Sequence, residues 1–304
     1  MSLASLLPYD HPYAGGYPGI GSQPLPTDAD ALDYLSRMAT ADGAGVETGV
    51  AVAVDAFFRG LKATPGLFDA IKASCILCGA RTITGALVPL AGDAPTAQGA
   101  WASGDYSRTA GLKGNGSSLY LDTGRAYADD PQNSNHIAAY LSSVDAAANE
   151  NYAGAGDTTV AFTRLGYFSS LLRYGVRTLQ LNGPATLVTG FMAAGRSDGA
   201  DVSLRYNGAS TTTSAASVST SGVDVNYTVF VTNYENAGLL GYSASTIAFY
   251  SFGEALNLEA LDTAVTNLIA RLKFALLVGE NPSGLDPDTI DYVVRGYEAG
   301  GSLE

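Results

Sequence analysis

The sequence predicts a mainly β protein, an antiparallel β-sandwich or jelly roll with α-helical appendages. From Trp101 to Phe252, apolar residues recur with period two in short runs, and Gly, Asn, Asp or Pro separates the runs. The chain holds 36 Gly and only 15% charged residues, which is typical of a turn-rich β protein and not of a disordered chain. A hydrophobic content of 46% is ample for a large core.

About ten short strands at this spacing favour two packed sheets. The predicted strands are Ser118–Asp122, Ile137–Ser142, Thr158–Thr163, Tyr167–Arg173, Thr178–Asn182, Ala185–Ala193, Val202–Tyr206, Ser217–Ser221, Val225–Val231 and Thr246–Phe252. The last strand leads into Asn257–Leu277, where Leu258, Leu261, Val265 and Leu268 follow the spacing of an amphipathic helix. We therefore assign residues 97–277 to a jelly roll closed by a helix.

Residues 27–96 predict a small helical domain and a junction. Thr27 or Asp28 can cap a first helix, Gly49–Leu61 is an apolar second segment, and Leu67–Ala80 shows a third apolar stripe. Residues 278–304 form a C-terminal tail, in which Asp288–Tyr297 predicts a short helix after Pro287.

Residues 1–26 are rich in Tyr, Pro and Gly and are predicted to form an extended arm. Tyr9, Tyr13 and Tyr17 are candidate docking groups, because tyrosine buries much area at a small cost in entropy. One interpretation is an arm that lies on a neighbouring subunit. The alternative is a loose or locally packed tail.

Charge and hydropathy exclude several classes of partner. The net charge is −13 with 16 Lys+Arg, and no basic cluster occurs, so neither nucleic acid nor an anionic membrane surface is expected as a partner. No apolar run is long enough for a membrane span. The N-terminus lacks the basic region of a secretion signal, so synthesis in a reducing cytoplasm is the expectation.

The cysteines and histidines do not complete a catalytic or metal motif. Cys75 and Cys78 form a C-x-x-C pair, but a closed zinc site needs four ligands and the histidines are His11 and His136 alone. We predict buried cysteines on a helix face. His136 has no nucleophile motif beside it, and we predict a surface or turn-anchoring histidine.

Paired carboxylates would indicate a glycosidase, and no strand carries them in the expected pattern. Capping explains Glu254, Glu259 and Asp262 at the closing strand–helix junction, and turn chemistry explains Asp129–Asp130. No enzyme activity and no cofactor are therefore expected. Calcium on loop carboxylates is an alternative to solvated turn acids, with these candidates: Asp122, Asp129, Asp130, Asp157, Asp198 and Asp201. The glycines of Gly111–Gly116 predict a tight hairpin turn.

Four segments in order carry a resemblance. They are AIKASCILCGARTITGALVPLAGDAPT (Ala70–Thr96), SGDYSRTAGLKGNGSSLYLDTGRA (Ser103–Ala126), DPQNSNHIAAYLS (Asp130–Ser142) and IAFYSFGEALNLEALDTAVTNLIARL (Ile247–Leu272). The opening turn and the closing strand and helix resemble laminin-G-like, or concanavalin-A-like, jelly rolls. The full order resembles structural proteins of tailed-bacteriophage virions.

The resemblance implies a non-enzymatic virion structural protein, exposed on the particle as a tail or fibre component or as a head decoration. It implies other virion proteins and further copies of this chain as partners, and a host surface glycan as a further candidate partner. The alternative is a glycan-binding, receptor-binding module or, less favoured, a glycosidase. Localisation to the virion after synthesis in the host cytoplasm is the corresponding expectation.

Overall fold

A computed structural model describes residues 25–145, 149–218 and 223–280. Its helices are α1 (Ala29–Asp42), α2 (Thr48–Ala63), α3 (Ile83–Ala86) and α4 (Leu258–Glu280). Its strands are β1 (Ile71–Ile76), β2 (Pro89–Ala91), β3 (Thr96–Gln98), β4 (Tyr106–Ser107), β5 (Gly111–Lys113), β6 (Tyr120–Ala126), β7 (Asn135–Ser143), β8 (Glu150–Gly156), β9 (Phe162–Phe168), β10 (Leu171–Thr178), β11 (Leu181–Asn182), β12 (Gly190–Arg196), β13 (Asp201–Tyr206), β14 (Ala209–Ser214), β15 (Asn226–Val229), β16 (Thr232–Tyr234), β17 (Gly238–Leu240) and β18 (Thr246–Gly253).

The strands form two sheets, which confirms the predicted antiparallel β-sandwich. Sheet A has the order β14-β13-β12-β7-β18-β1-β2, and β5 also pairs with β18 and carries β4. Sheet B has the order β11-β10-β9-β8-β15-β6-β3, and β16 pairs with β8 and carries β17. Described neighbours are antiparallel except β16 and β8, which pair in parallel.

Two apolar cores lie on the two faces of sheet A. One fills the space between the sheets and includes Leu121 of β6, Ile137 of β7 and Leu165 of β9. The other lies between sheet A and the helices, where Phe57 of α2 meets Phe249 of β18 with ring centroids 6.1 Å apart. Sheet A is thus the middle layer, and its helix-covered face cannot present a site to solvent.

Local capping positions the helices. The Asp28 side chain accepts hydrogen bonds from the amides of Asp30 and Ala31, so the predicted cap of α1 is confirmed. Asn257 Oδ1 accepts from the amides of Glu259 and Ala260 at the start of α4, as the predicted closing helix requires. No helix in the described ranges has the length and apolar character needed to cross a membrane.

The predicted third helix, Leu67–Ala80, is wrong, because its centre is strand β1 in the middle of sheet A. Both faces of β1 are covered, because Ala73 and Cys75 lie in the inter-sheet core while Ile71 and Ile76 lie in the core under the helices, so the strand shows no clean period-two pattern. Residues 27–96 therefore contribute β1, β2 and the first residue of β3 to the two sheets, and α1 and α2 belong to the core under sheet A.

Other predictions also need correction, since most of the predicted strand Thr158–Thr163 precedes β9 and most of Ala185–Ala193 precedes β12. Tyr167–Arg173 is not one strand, because Ser169 and Ser170, with φ of 50° and 58°, turn the chain between β9 and β10. Gly111–Gly116 does not form a hairpin, because β5 belongs to sheet A while β6 belongs to sheet B. The docking groups Tyr9, Tyr13 and Tyr17, the tail helix and part of the predicted strand Ser217–Ser221 lie outside the described residues.

Two glycines of α2 are expected to respond in opposite ways to alanine. A methyl group on Gly49 would lie 2.8 Å from the Ala275 Cβ atom of α4, so Gly49→Ala should destabilise the fold by about 1–3 kcal/mol through overpacking. Nothing lies within 4 Å of the corresponding position at Gly60, so Gly60→Ala should stabilise it by about 0.5–1 kcal/mol. Denaturant unfolding followed by the fluorescence of Trp101, the single tryptophan, measures both. A Gly49→Ala protein as stable as the unchanged one would contradict the close α2–α4 contact.

Candidate functional site

The helices pack on sheet A and not on the outer face of sheet B. The central strands of that face, β8 and β9, are buried, whereas residues of β6 and β10 are half-exposed. On β9, Leu165 and Tyr167 point into the inter-sheet core, so the alternate residues Phe162, Arg164 and Phe168 face outward. The strand pairing places Asp122 of β6 on the same face as Arg164 of β9. Arg164 is paired with Gly154 of β8, Gly154 with Thr228 of β15, and Thr228 with Asp122.

An arginine lies between two aromatic rings on this face. The guanidinium carbon of Arg164 is 4.5 Å from the ring centroid of Phe162 and 5.2 Å from that of Phe168. Its Nη1 donates to the Tyr234 hydroxyl at 2.7 Å, and its Nη2 donates to Oε1 of Gln180. We call these five residues the arginine stack.

The charge in the arginine stack is poorly compensated. Arg164 is only 8% exposed, and no described carboxylate forms an ion pair with it. Its buried Nε has no hydrogen-bond partner among the described residues. Two aromatic faces and two neutral oxygens offset part of the cost of desolvating a cation, but they do not neutralise it.

A second guanidinium lies beside the first. Arg173 on β10 is the register partner of Gly166, so it is a diagonal neighbour of Arg164 on the same face. Its Nε donates to the Phe168 carbonyl at 3.2 Å, its Nη1 donates to Asn182, and no described carboxylate pairs with it. This part of sheet B is therefore cationic in a chain whose net charge is −13.

An aromatic pair with polar neighbours lies farther along the same face. The half-buried rings of Tyr120 on β6 and Tyr242 have centroids 6.2 Å apart and meet at 68°. Next to them, Asp122 Oδ1 accepts from Asn226 Nδ2 at 3.0 Å and from the Gly124 amide at 2.9 Å. Burial and the neighbouring Tyr242 and Asp122 raise the pKa of the Tyr120 hydroxyl, so this hydroxyl stays a neutral hydrogen-bonding group.

One segment, residues 240–245, joins the two clusters. The Gly241 carbonyl accepts from the Asn151 amide at 2.7 Å, and a methyl group on Gly241 would lie 3.0 Å from the Phe168 ring. The buried carboxylate of Glu150 accepts from the hydroxyls of Ser243 and Ser245, each at 2.6 Å. Because the segment is fixed at both points, Tyr242 is held against Tyr120. We call the arginine stack, Arg173, Asn182, the tyrosine pair, Asp122 and Asn226 the sheet-B surface.

The two cysteines are buried, as predicted, but they lie on and after strand β1 and not on a helix. Cys75 belongs to the inter-sheet core and Cys78 to the core under the helices. Burial raises the pKa of each thiol to about 12, which leaves both in the unreactive thiol form. Within the described ranges, no three His, Cys, Asp or Glu side chains form a group that could hold a metal ion.

The carboxylates singled out in the sequence are mostly bound in local structure. Asp130 is buried against Arg125, Asp262 pairs with Arg205 at 2.7 Å, and Glu254 pairs with Lys72 at 3.1 Å. Hydrogen bonds from the Thr159 hydroxyl and from turn amides lower the pKa of Asp157, and hydrogen bonds from the amides of Asp201 and Ala200 lower the pKa of Asp198. The remaining ones have the following places: Asp129 in the turn after β6, Asp201 at the start of β13, and Glu259 in the first turn of α4.

His136 anchors the closing junction, as one interpretation predicted, but it is fully buried and not at the surface. Its Nδ1 lies 2.6 Å from the Glu254 carbonyl and its Nε2 lies 2.7 Å from the Ser251 hydroxyl. A neutral ring that donates through Nδ1 and accepts at Nε2 satisfies both partners. Burial lowers the pKa of His136 from 6.5 to about 4.

This lowered pKa predicts a stability that depends on pH. Between pH 6.5 and about pH 4 the unfolded chain binds a proton at His136 that the folded chain does not bind, so stability falls as pH falls through that window. From pH 7 to pH 5 the loss from this residue should be about 2 kcal/mol. The measurement is denaturant unfolding at both pH values for the unchanged protein and His136→Gln, whose amide can replace both hydrogen bonds. An equal loss in both proteins would contradict the assignment.

Comparisons with known proteins give no family and only weak structural likenesses. No family model and no curated protein sequence matches the chain. The botulinum neurotoxin serotype D binding domain aligns with a TM-score of 0.46 and 7% identity over 68% of this chain and 52% of that one. The Ruminococcus gnavus IT-sialidase CBM40 bound to α2,3-sialyllactose aligns with a TM-score of 0.35 and 14% identity, over 46% of this chain and 92% of that one. The K499G mutant of NanB sialidase from Streptococcus pneumoniae aligns with a TM-score of 0.36 and 12% identity, over 44% of this chain and 24% of that one. This chain therefore spans about a quarter of that sialidase. Likenesses at these scores carry no argument about the site.

Sequence reasoning found only Asp122 of the sheet-B surface, and as a calcium candidate. The predicted strand Thr158–Thr163 ends one residue before Arg164, and no motif singled out Gln180 or Tyr242. The available signal was the run Phe162–Phe168, FTRLGYF, in which aromatic residues occupy both strand faces and an arginine lies between two of them.

Proposed function

We propose that this protein is a glycan-binding β-sandwich module that holds sugars on the sheet-B surface. The observation that carries the proposal is the half-buried Tyr120–Tyr242 pair beside Asp122 and Asn226, on the sheet face that the helices leave uncovered. A ligand site of this kind combines apolar rings with a few fixed polar groups that set orientation.

The chemistry of these residues suits a sugar. Aromatic rings bury the C–H faces of a pyranose, and fixed amide and carboxylate oxygens pair with its hydroxyl groups. Asp122 keeps its second carboxylate oxygen for a ligand, because the hydrogen bonds to Asn226 and Gly124 both use Oδ1. The binding groups are positioned by strands and by the segment that Glu150 fixes, so little ordering is left to occur on binding.

We further propose that binding occurs without turnover. The carboxylates Asp130, Asp262 and Glu150 serve as partners of structural groups and are not paired across a groove. Incubation with the bound glycans should leave them intact. A product that disappears on substitution of one Asp or Glu would make the protein a glycosidase.

Removal of one ring tests the binding site. Screening on an array of neutral and acidic oligosaccharides identifies the ligand, and calorimetry then gives its Kd. Tyr120→Ala should weaken binding about tenfold or more, which corresponds to about 1.4 kcal/mol, because the stacking face is lost. Tyr120→Phe keeps the ring and should bind like the unchanged protein. Equal affinity of the alanine and phenylalanine variants would contradict a stacking role.

A second candidate function is that of a structural component of a virus particle that carries this module. The four ordered sequence segments that resemble tailed-bacteriophage structural proteins favour a virion component, present in many copies as a homo-oligomer. A tail or fibre placement would direct the sheet-B surface to host glycans, and a head decoration would brace capsomers.

The virion setting predicts that the protein is found on purified particles. Negative-stain microscopy with an antibody against the protein should label phage particles at regular positions. Absence from purified virions would contradict this setting and leave the glycan-binding proposal intact. Deletion that weakens particles without changing adsorption would favour the head placement.

A further inference from the structure

We propose that the Nε–Nη2 edge of Arg164 is a carboxylate-binding position, and that the glycan bound on the sheet-B surface is therefore an acidic one. This inference rests on the proposed function and names its ligand class. It depends on the hydrogen bonds of one guanidinium and on the absence of a charge partner among the described residues.

The Nε–Nη2 edge of the guanidinium has the geometry that a carboxylate binds, and because its Nε atom is buried, a ligand must displace Gln180 to reach it. The Nε and Nη2 groups of an arginine point in parallel and bind both oxygens of one carboxylate. In Arg164 this edge has a single neutral acceptor, Gln180 Oε1 on Nη2, while Nε has no partner among the described residues. The Nη1 group is already used by the Tyr234 hydroxyl, which fixes the plane of the guanidinium.

Gln180 occupies the place that a ligand oxygen would take. Its side chain is exposed, so moving it into solvent breaks one hydrogen bond to a neutral amide and leaves its carbonyl hydrated. A ligand carboxylate would replace that bond with two charge-assisted ones and would neutralise a cation that is 8% exposed. Arg173, the diagonal neighbour, adds a second positive charge next to the same position.

The position of the tyrosine pair indicates a sugar as the source of the carboxylate. Arg164 and Asp122 lie in one register row, three strands apart, which is about 14 Å. Gly241 packs near Phe168 and precedes Tyr242, so the arginine stack and the tyrosine pair adjoin on one surface. An oligosaccharide can place a carboxylate at Arg164 and a neutral ring at Tyr120, whereas a single acidic monosaccharide reaches only the first.

Substitution of Gln180 by glutamate tests the position without removing the buried arginine. Gln180→Glu places a carboxylate of the chain itself beside Arg164, so the variant should be more thermally stable and should lose acidic ligands. Gln180→Ala removes the competing acceptor and should bind acidic ligands at least as well as the unchanged protein. Gln132→Glu is the matched control, because Gln132 is also exposed and bonds Ser217 on another part of the molecule.

The readout is the ¹⁵N resonance of the Arg164 Nε–H group, identified by its loss in Arg164→Lys. Titration with glucuronate should shift this resonance in the unchanged protein, Gln180→Ala and Gln132→Glu, while glucose should not. In Gln180→Glu the resonance should be shifted from the start, and the affinity for glucuronate should fall at least tenfold. Glucuronate binding that is unchanged in Gln180→Glu would overturn the proposal.

The two proposals can fail separately. If neutral oligosaccharides bind and Tyr120→Ala weakens them, while glucuronate leaves Arg164 unaffected, the carboxylate position is wrong and the glycan site stands. If glucuronate shifts Arg164 but no oligosaccharide on the array binds, the glycan site is wrong. An equal response to acetate and glucuronate would assign Arg164 to carboxylates in general, including those of an acidic peptide, and would overturn the sugar assignment.

Discussion

The structure depends on the burial of sheet A on both faces. All eight residues of β18 are buried, and its side chains are divided between the two cores. Phe249 meets Phe57 under the helices, whereas Phe252 stacks on Tyr227 of sheet B with centroids 4.5 Å apart. A sheet with two apolar faces must be covered twice, so the helices take one face and sheet B takes the other. This arrangement leaves the outer face of sheet B without a helix, and the half-exposed residues of that face lie on β6 and β10.

Buried polar groups tie the ends of the sandwich together. Glu150 holds the segment of Ser243 and Ser245 at one place, and Arg177 donates to the carbonyl oxygens of Tyr127 and Asp130 at another. Burying a charge is costly unless hydrogen bonds compensate it, and the bonds made by Glu150 and Arg177 each fix one arrangement of the loops. The fixed loops give the sheet-B surface a defined shape before any ligand binds.

The sequence predicts those elements whose environment matches a simple period. Strand β13 (Asp201–Tyr206) has one covered face and alternates in burial, and the predicted strand Val202–Tyr206 falls within it. Strand β1 is buried on both faces, so its apolar run also matched a helix. Strand β8, ENYAGAG, contains small residues that give little periodic signal. Its Gly154 and Gly156 allow the backbone of the neighbouring strand β9 to approach closely.

The candidate site was beyond sequence reasoning for a different reason. Its members come from six strands, β6, β9, β10, β11, β15 and β16, and from loops far apart in the chain, and no spacing relates Arg164 to Tyr234 or Gln180. From the sequence alone, Arg164 would be expected to lie in solvent, since an arginine facing outward on a strand is ordinarily solvated. Arg164 is instead buried, and the pairing of β9 with β10 gives one reason for this. Gly175, its register partner, leaves room for the Phe162 ring, since a methyl group there would lie 2.8 Å from that ring.

If Arg164 binds a carboxylate as proposed, its burial links the stability of the arginine stack to that ligand. The folded chain retains a desolvated cation that the unfolded chain would hydrate, so part of the cost of burying Arg164 persists until an anion pairs with it. An anion that binds only the folded form stabilises that form by mass action. In the proposed site the same uncompensated charge that weakens the isolated sandwich would be the source of selectivity, because a neutral sugar could use the tyrosine pair but could not neutralise Arg164.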